Sequence, residues 1–172
     1  ILHRLVGSEM CIRDSGYSAI AITDECSYSG LVKAHVAAKQ CGIKLIVGAE
    51  FFVDIAHGEE KNSVENIIML APTRQAYGQL SAFISKIRRK NQKGNSYLGY
   101  EDCQIGLSDC LILWSPELQD IDIQVSVGHK LKTIFQHFWI TLELFQDGFD
   151  IDKTAQALTL SSRLNLRLVA SC

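Results

Sequence analysis

Six short apolar runs alternate with stretches whose apolar residues recur at helical spacing, and this alternation limits what the chain can fold into. The runs are AIAIT (19–23), IKLIVGAEFFV (43–53), NIIMLA (66–71), CLILW (110–114), FWITLELF (138–145) and LRLVAS (166–171). Each is nearly continuous and rich in β-branched or aromatic residues, as expected of a strand covered on both faces. Gly48 is expected to break the second run just before Glu50. After the first run, Leu31, His35, Ala38 and Cys41 fall at helical spacing, with Ser27 or Ser29 as the cap and Gly42 as the left-handed stop. Pro72 and Thr73 open a second helix with Ala76, Leu80, Phe83, Ile84 and Ile87 on one stripe. A third helix is expected over 127–137, and a fourth over 151–164 with Ile151, Ala155, Leu158 and Leu164 near one face. The polar stretch from Asn91 to Ser108 contains the only linker-like segment, 91–100. The pattern is α/β: a parallel sheet covered by helices, or a barrel.

Composition excludes several classes. With 47% hydrophobic and 21% charged residues over 172 positions, the chain can bury a core without disulfides or metals. A net charge of −2 supplies no global field toward nucleic acid or an anionic membrane, so any such binding is local. Lys33, Lys39 and Lys44 interrupt the most apolar third, which leaves no spanning segment, and no secretory signal is visible, so a cytoplasmic location is expected. The six cysteines form no C-x-x-C pair and read as reduced thiols. His3, His35, His57, His129 and His137 are isolated, and P-loop, dinucleotide-fold and serine-hydrolase signatures are absent.

In α/β folds ligands gather at the carboxyl ends of the strands. Acids dominate there: Asp24 and Glu25 after the first run, Glu50 in the second, Glu117 after Ser115 and Pro116, and Glu143 within the fifth. Converging carboxylates suit hard divalent cations, although short acids at strand ends also cap helices and shape turns. The basic run Lys86, Arg88, Arg89, Lys90 and Lys93 can neutralise phosphates, or it can complement a helix dipole.

The segment GYSAIAITDECSYSGLVKAHVAAKQCGIKLIVGAEF (16–51), with LAPTRQAYGQL (70–80), resembles the polymerase and histidinol phosphatase (PHP) domain that opens bacterial C-family DNA polymerases, the error-prone branch more than the replicative one. The resemblance runs more loosely through CLILWSPEL and WITLELF. It implies an incomplete TIM-like (β/α)7 PHP barrel, with parallel strands inside and helices outside. Residues 16–172 would form a partial PHP domain, while 1–15, whose LVGSEMCIRDS resembles translated adapter sequence, are set apart as non-native. The family's Thr-Asp-His motif corresponds to Thr23, Asp24 and Glu25, its bridging acid to Glu50, a frequent His to Asn66 and a frequent Cys or His to a place near Glu117. The family's opening H-x-H would lie upstream of Gly16 and its closing Asp-x-His just past Cys172. The implied metal set is thus Asp24, Glu25, Glu50 and Glu117, a degenerate site for weakly held Mn²⁺ or Zn²⁺, and the implied nucleic-acid contacts are Lys86, Arg88, Arg89 and Lys90. The full-length protein would be an error-prone DNA polymerase using Mg²⁺, with DNA and deoxynucleoside triphosphates bound by the missing palm, fingers and thumb. It would act in translesion synthesis and repair, beside other replication or repair proteins and away from membranes. The fragment itself would be structural; the alternative is a stand-alone metal-dependent phosphoesterase.

Overall fold

The computed structural model describes residues 15–55, 64–92, 95–104, 106–146 and 148–171. Of the stretch set apart as non-native, only Ser15 lies within these limits, and Lys93 and His57 lie outside them. In chain order the elements are β1 (Ala19–Ile22), α1 (Leu31–Cys41), β2 (Lys44–Asp54), β3 (Val64–Ala71), α2 (Arg74–Lys90), β4 (Leu98–Gly99), a 3₁₀ turn (Tyr100–Gln104), β5 (Leu111–Ser115), α3 (Ile121–Ile134), β6 (Phe138–Glu143), α4 (Asp150–Leu164) and β7 (Leu168–Ser171).

The strands form one sheet in the order β1-β2-β3-β5-β6-β7, with β4 added to the far end of β2. Strands β1 and β2 are parallel, as are β5, β6 and β7. The expectation of an all-parallel sheet fails at β3, which runs antiparallel to both β2 and β5. The reason is visible in the chain: a parallel neighbour needs a crossover of a dozen or more residues, usually a helix, and no helical stripe separates the second run from the third. Within the linker-like stretch, Leu98 and Gly99 form a short strand that pairs with Val53 and Asp54.

Side-chain alternation gives the sheet two faces. Phe51, Val53, Ile67, Met69, Ile112, Trp114 and Ile140 are buried beneath the helices, where they meet Ala76, Leu80, Phe83 and Ile87 of α2, Val127 and Leu131 of α3, and Leu160 and Leu164 of α4. The other face is hollow. Ala19, Ala21 and Thr23 at one end of the sheet and Ser171 at the other line the same cavity of about 360 Å³, floored by Ile68, Leu70 and Leu113. The sheet therefore curls toward itself as an incomplete barrel with its helices outside.

Local chemistry sets the helix ends. Thr73 caps α2 by accepting from Ala76 N–H at 3.1 Å, and Gly42 stops α1 in the left-handed region at φ 68°. Neither Ser27 nor Ser29 caps α1; its N-cap is Gly30. Helix α3 begins six residues earlier than the apolar spacing indicates, because Asp120 accepts from the N–H groups of Asp122 and Ile123. Two helix faces also differ from expectation: α1 buries Ala34, Ala37 and Ala38 while His35 is exposed, and α4 buries Ala157, Leu160 and Leu164 while Ile151, Ala155 and Leu158 face outward.

Gly48 does not interrupt β2. It lets strands approach: a Cβ there would stand 2.7 Å from Leu70 Cδ2, 2.9 Å from the Met69 carbonyl oxygen and 3.0 Å from Thr23 Cγ2. Gly48→Ala should therefore cost about 1–3 kcal/mol in thermal or denaturant unfolding through overpacking against backbone. Gly78→Ala, at a helical position with nothing within 4 Å, should gain about 0.5–1 kcal/mol. Equal effects at the two sites would contradict this packing account.

Candidate functional site: the cleft at the strand ends

The β2–β3 register places Phe52 opposite Asn66, and the β3–β5 register places Asn66 opposite Ser115. Glu50, two residues before Phe52, shares their face. Its Oε1 accepts a 2.7 Å hydrogen bond from Asn66 Nδ2, the diagonal neighbour across the antiparallel pair. Asn66 Oδ1 is buried and receives no donor among the described residues. Asn66, Ser115, Glu117, Thr141 and Glu143 line a cleft of about 640 Å³, whose far wall is Phe145, Phe149, Lys153 and Gln156.

Backbone pairing brings the other acids to the same edge. Glu50 N–H donates to Asp24 C=O at 3.2 Å and Cys26 N–H donates to Glu50 C=O at 2.9 Å, so the chain leaving β1 remains against β2. Cys26 then turns through a left-handed φ of 43°. The side chains, however, diverge. Asp24 Oδ2 accepts from Gly30 N–H at 3.2 Å and Ser29 Oγ at 3.3 Å, which fixes the turn into α1. Glu25 accepts from the Ser96 hydroxyl. Glu117 is exposed on the cleft lip, its carbonyl taking a 3.0 Å hydrogen bond from Gln156 Nε2.

This donor set does not fit a resident metal cluster. Three of the four expected carboxylates already face protein N–H or O–H donors, and among the described residues no three His, Cys, Asp or Glu side chains lie close enough to share an ion. Oxygen-ligated cations are held by several ligands at once, and such a group is missing among the described residues. The four described cysteines, Cys26, Cys41, Cys103 and Cys110, are free thiols; burial pushes Cys103 up to about 12 and Cys110 to about 11, which suppresses thiolate chemistry.

The basic run on α2 is largely committed to the fold. Arg88 reaches inward to the carbonyls of Cys26 and Glu25 at 3.0 and 3.1 Å. Lys90 lies 2.5 Å from Asp102 Oδ2, with Lys86 4.0 Å from its Oδ1. Burial pushes the Asp102 carboxyl up, but Lys90, the Gly99 N–H and Lys86 together hold it below the usual range. Arg89 lies in an open groove beside Tyr77, Ser81, Ser85 and Lys86.

Residues 11–138 match the model of the PHP domain. The chain belongs to the PHP domain family. Error-prone DNA polymerases are similar to it: that of Idiomarina loihiensis is 41% identical over 146 residues, covering 84% of this chain and 13% of the polymerase. That of Teredinibacter turnerae is 50% identical over 165 residues, covering 88% and 15%. The chain thus spans about a seventh of the length of these relatives. In structure it is similar to an amidohydrolase from Chromobacterium violaceum solved with sulfate and no metal, at TM-score 0.66 and 13% identity, covering 98% of this chain and 80% of that one. It is also similar to a Bifidobacterium adolescentis protein described as a metal-dependent phosphoesterase, at TM-score 0.58 and 12% identity, covering 98% and 80%.

Behind the cleft of this PHP domain lies a polar group that strand-end reasoning missed. Glu65, on the opposite face of β3 from Asn66, is completely buried. Its Oε2 accepts from Trp114 Nε1 at 2.8 Å and its Oε1 from Gln124 Nε2 at 3.5 Å, and no cation pairs with it among the described residues. Burial pushes its carboxyl above the ordinary value of 4.5; Trp114 and Gln124 pull it down, and Glu117 adds a further push upward. The only sequence signal was an acid breaking the alternation at the start of a buried strand.

A folded-state value above the unfolded one means that the folded chain binds the proton more tightly. The contribution of Glu65 is therefore complete below 4.5 and lost as pH rises through its raised folded-state value. Unfolding from about pH 5 to about pH 8 should show wild type losing stability relative to Glu65→Gln. Parallel profiles would show that Glu65 is ionised in the fold.

Proposed function

We propose that residues 16–172 are a partial PHP domain of an error-prone DNA polymerase and that residues 1–15 are foreign to it. The observation that carries this reading is identity of up to 50% to error-prone polymerases over 88% of the chain. In the full-length protein the activity is DNA-directed DNA synthesis from deoxynucleoside triphosphates during translesion synthesis and repair, in the cytoplasm. Mg²⁺, template and nucleotides are held by domains outside these residues, and other replication or repair proteins are its partners. Two-metal chemistry of that kind needs clustered carboxylates free to ligate.

The PHP domain serves that enzyme as a structural module. Its rim acids do mechanical work: Asp24 shapes the turn into α1, Glu25 holds Ser96, and Glu50 ties β2 to β3 through Asn66. Asp24, Glu25, Glu50 and Glu117 would bind Mn²⁺ or Zn²⁺ only weakly. Of the basic run, Arg89 in its open groove is the part left to meet nucleic acid. The phosphoesterase alternative is disfavoured because no three potential metal ligands lie together among the described residues.

Full-length protein carrying these residues should extend a primed template with all four nucleotides and Mg²⁺, and should not release phosphate from a generic phosphomonoester in Mn²⁺. Phosphate release without primer extension would overturn the proposal.

A further inference from the structure

The cleft at the strand ends is walled by large apolar side chains that the fold leaves open. Phe52, Val64, Leu118, Phe145 and Phe149 all line it, and each is between 42% and 61% exposed. Phe52 reaches it because side chains alternate along β2, where Phe51 and Val53 on either side are buried beneath the helices. Phe145 and Phe149 flank the turn into α4, whose shape Asp150 sets by accepting from Phe145 N–H at 3.2 Å and Gln146 N–H at 3.0 Å. Single exposed apolar residues need no explanation, but five around one hollow mark a contact surface. Aromatic residues in such a hollow are typical of the centre of a protein interface.

The charges of the cleft indicate what enters it. Among the described residues, Glu117 and Glu143 are the acids on its lining and Lys153 is the cation. The Lys153 ammonium lies 5.2 Å from the centre of the Phe145 ring, against the wall. Neither the Glu117 nor the Glu143 carboxylate takes a hydrogen bond or an ion pair among the described residues. Glu50 adds a third carboxylate behind Asn66. A nucleic-acid backbone brought into this hollow would meet an excess of like charge, which opposes binding. The complementary occupant is polypeptide with a large apolar side chain beside a Lys or Arg. The error-prone polymerases similar to this chain have such polypeptide to supply, since the chain spans only 13% and 15% of two of them. Held on the same chain, that segment acts at high effective concentration.

We propose that the cleft is an internal docking site: in the full-length protein it holds a basic and apolar segment of the same polypeptide, from outside residues 1–172, with its apolar side chain among Phe52, Phe145 and Phe149 and its cation on Glu117 and Glu143. This rests on the reading of the chain as part of a longer polymerase. Full-length protein with Phe149, or in parallel Phe145, replaced by the photo-reactive residue p-benzoylphenylalanine is irradiated, and its cross-links are mapped by peptide mass spectrometry. From both positions the cross-links should reach one segment of the same polypeptide outside residues 1–172, with Lys or Arg within a few residues of the linked position. Added primed DNA should not replace them, and Glu117→Lys in the same protein should lower their yield at least about threefold. Cross-links confined to residues 1–172, cross-links to the DNA or to a second copy, or none at all would each overturn the proposal, as would a yield indifferent to Glu117→Lys. Primer extension by the same preparations tests the polymerase reading separately: extension without these cross-links leaves that reading standing while the docking proposal falls.

Discussion

The eight-pair antiparallel ladder between β2 and β3, from Val47–Ala71 to Asp54–Val64, is the constraint on which the rest of the structure depends. Strand β2 also holds β1 and β4, and β3 passes the sheet on to β5, so this ladder joins the two parallel halves. A one-residue slip would exchange the faces of every side chain on β3. Asn66 would enter the core and Glu65 would enter the cleft. The side chains on either face oppose that slip: Glu65 accepts from Trp114 and Gln124 beneath the helices, while Asn66 Nδ2 donates to Glu50 on the open face. Gly48 contributes by allowing Leu70 and the Met69 carbonyl to come within contact distance.

The same ladder explains the chemistry of the rim. A carboxylate at a strand end is oriented by the donors that its oxygens accept from, while its remaining lone pairs stay open. Here the backbone N–H of Gly30, the hydroxyl of Ser96 and the amide of Asn66 occupy Asp24, Glu25 and Glu50 in turn. Hydrogen-bonded in this way, the acids join β1, β2, β3 and the 95–97 segment. The cations of α2 are engaged in the same manner: Arg88 and Lys90 bind the loops to the helix, through the carbonyls after β1 and through Asp102.

Much of this was legible in the sequence, and the failures have physical causes. Strand positions followed from the apolar runs, and the strand-end rule placed Asp24, Glu25 and Glu50 at one edge. Their partners were not legible, because Ser96 and Gly30 are small residues without pattern and the Asn66 contact depends on a cross-strand diagonal. The antiparallel turn of β3 could have been read from the missing helix between the second and third runs. Helix α4 was expected to turn Ile151, Ala155, Leu158 and Leu164 inward; Leu164 is buried, but the sheet took up Ala157 and Leu160 beside it and left Ile151, Ala155 and Leu158 outside.

The central claim is that the rim of this PHP domain is held by its own hydrogen bonds rather than by metal. Calorimetric titration of the protein with Mn²⁺ and with Zn²⁺ tests it most directly, alongside Glu50→Gln. The account predicts no tight stoichiometric binding of either ion and no difference between the two proteins. Tight stoichiometric binding that Glu50→Gln abolishes would contradict it.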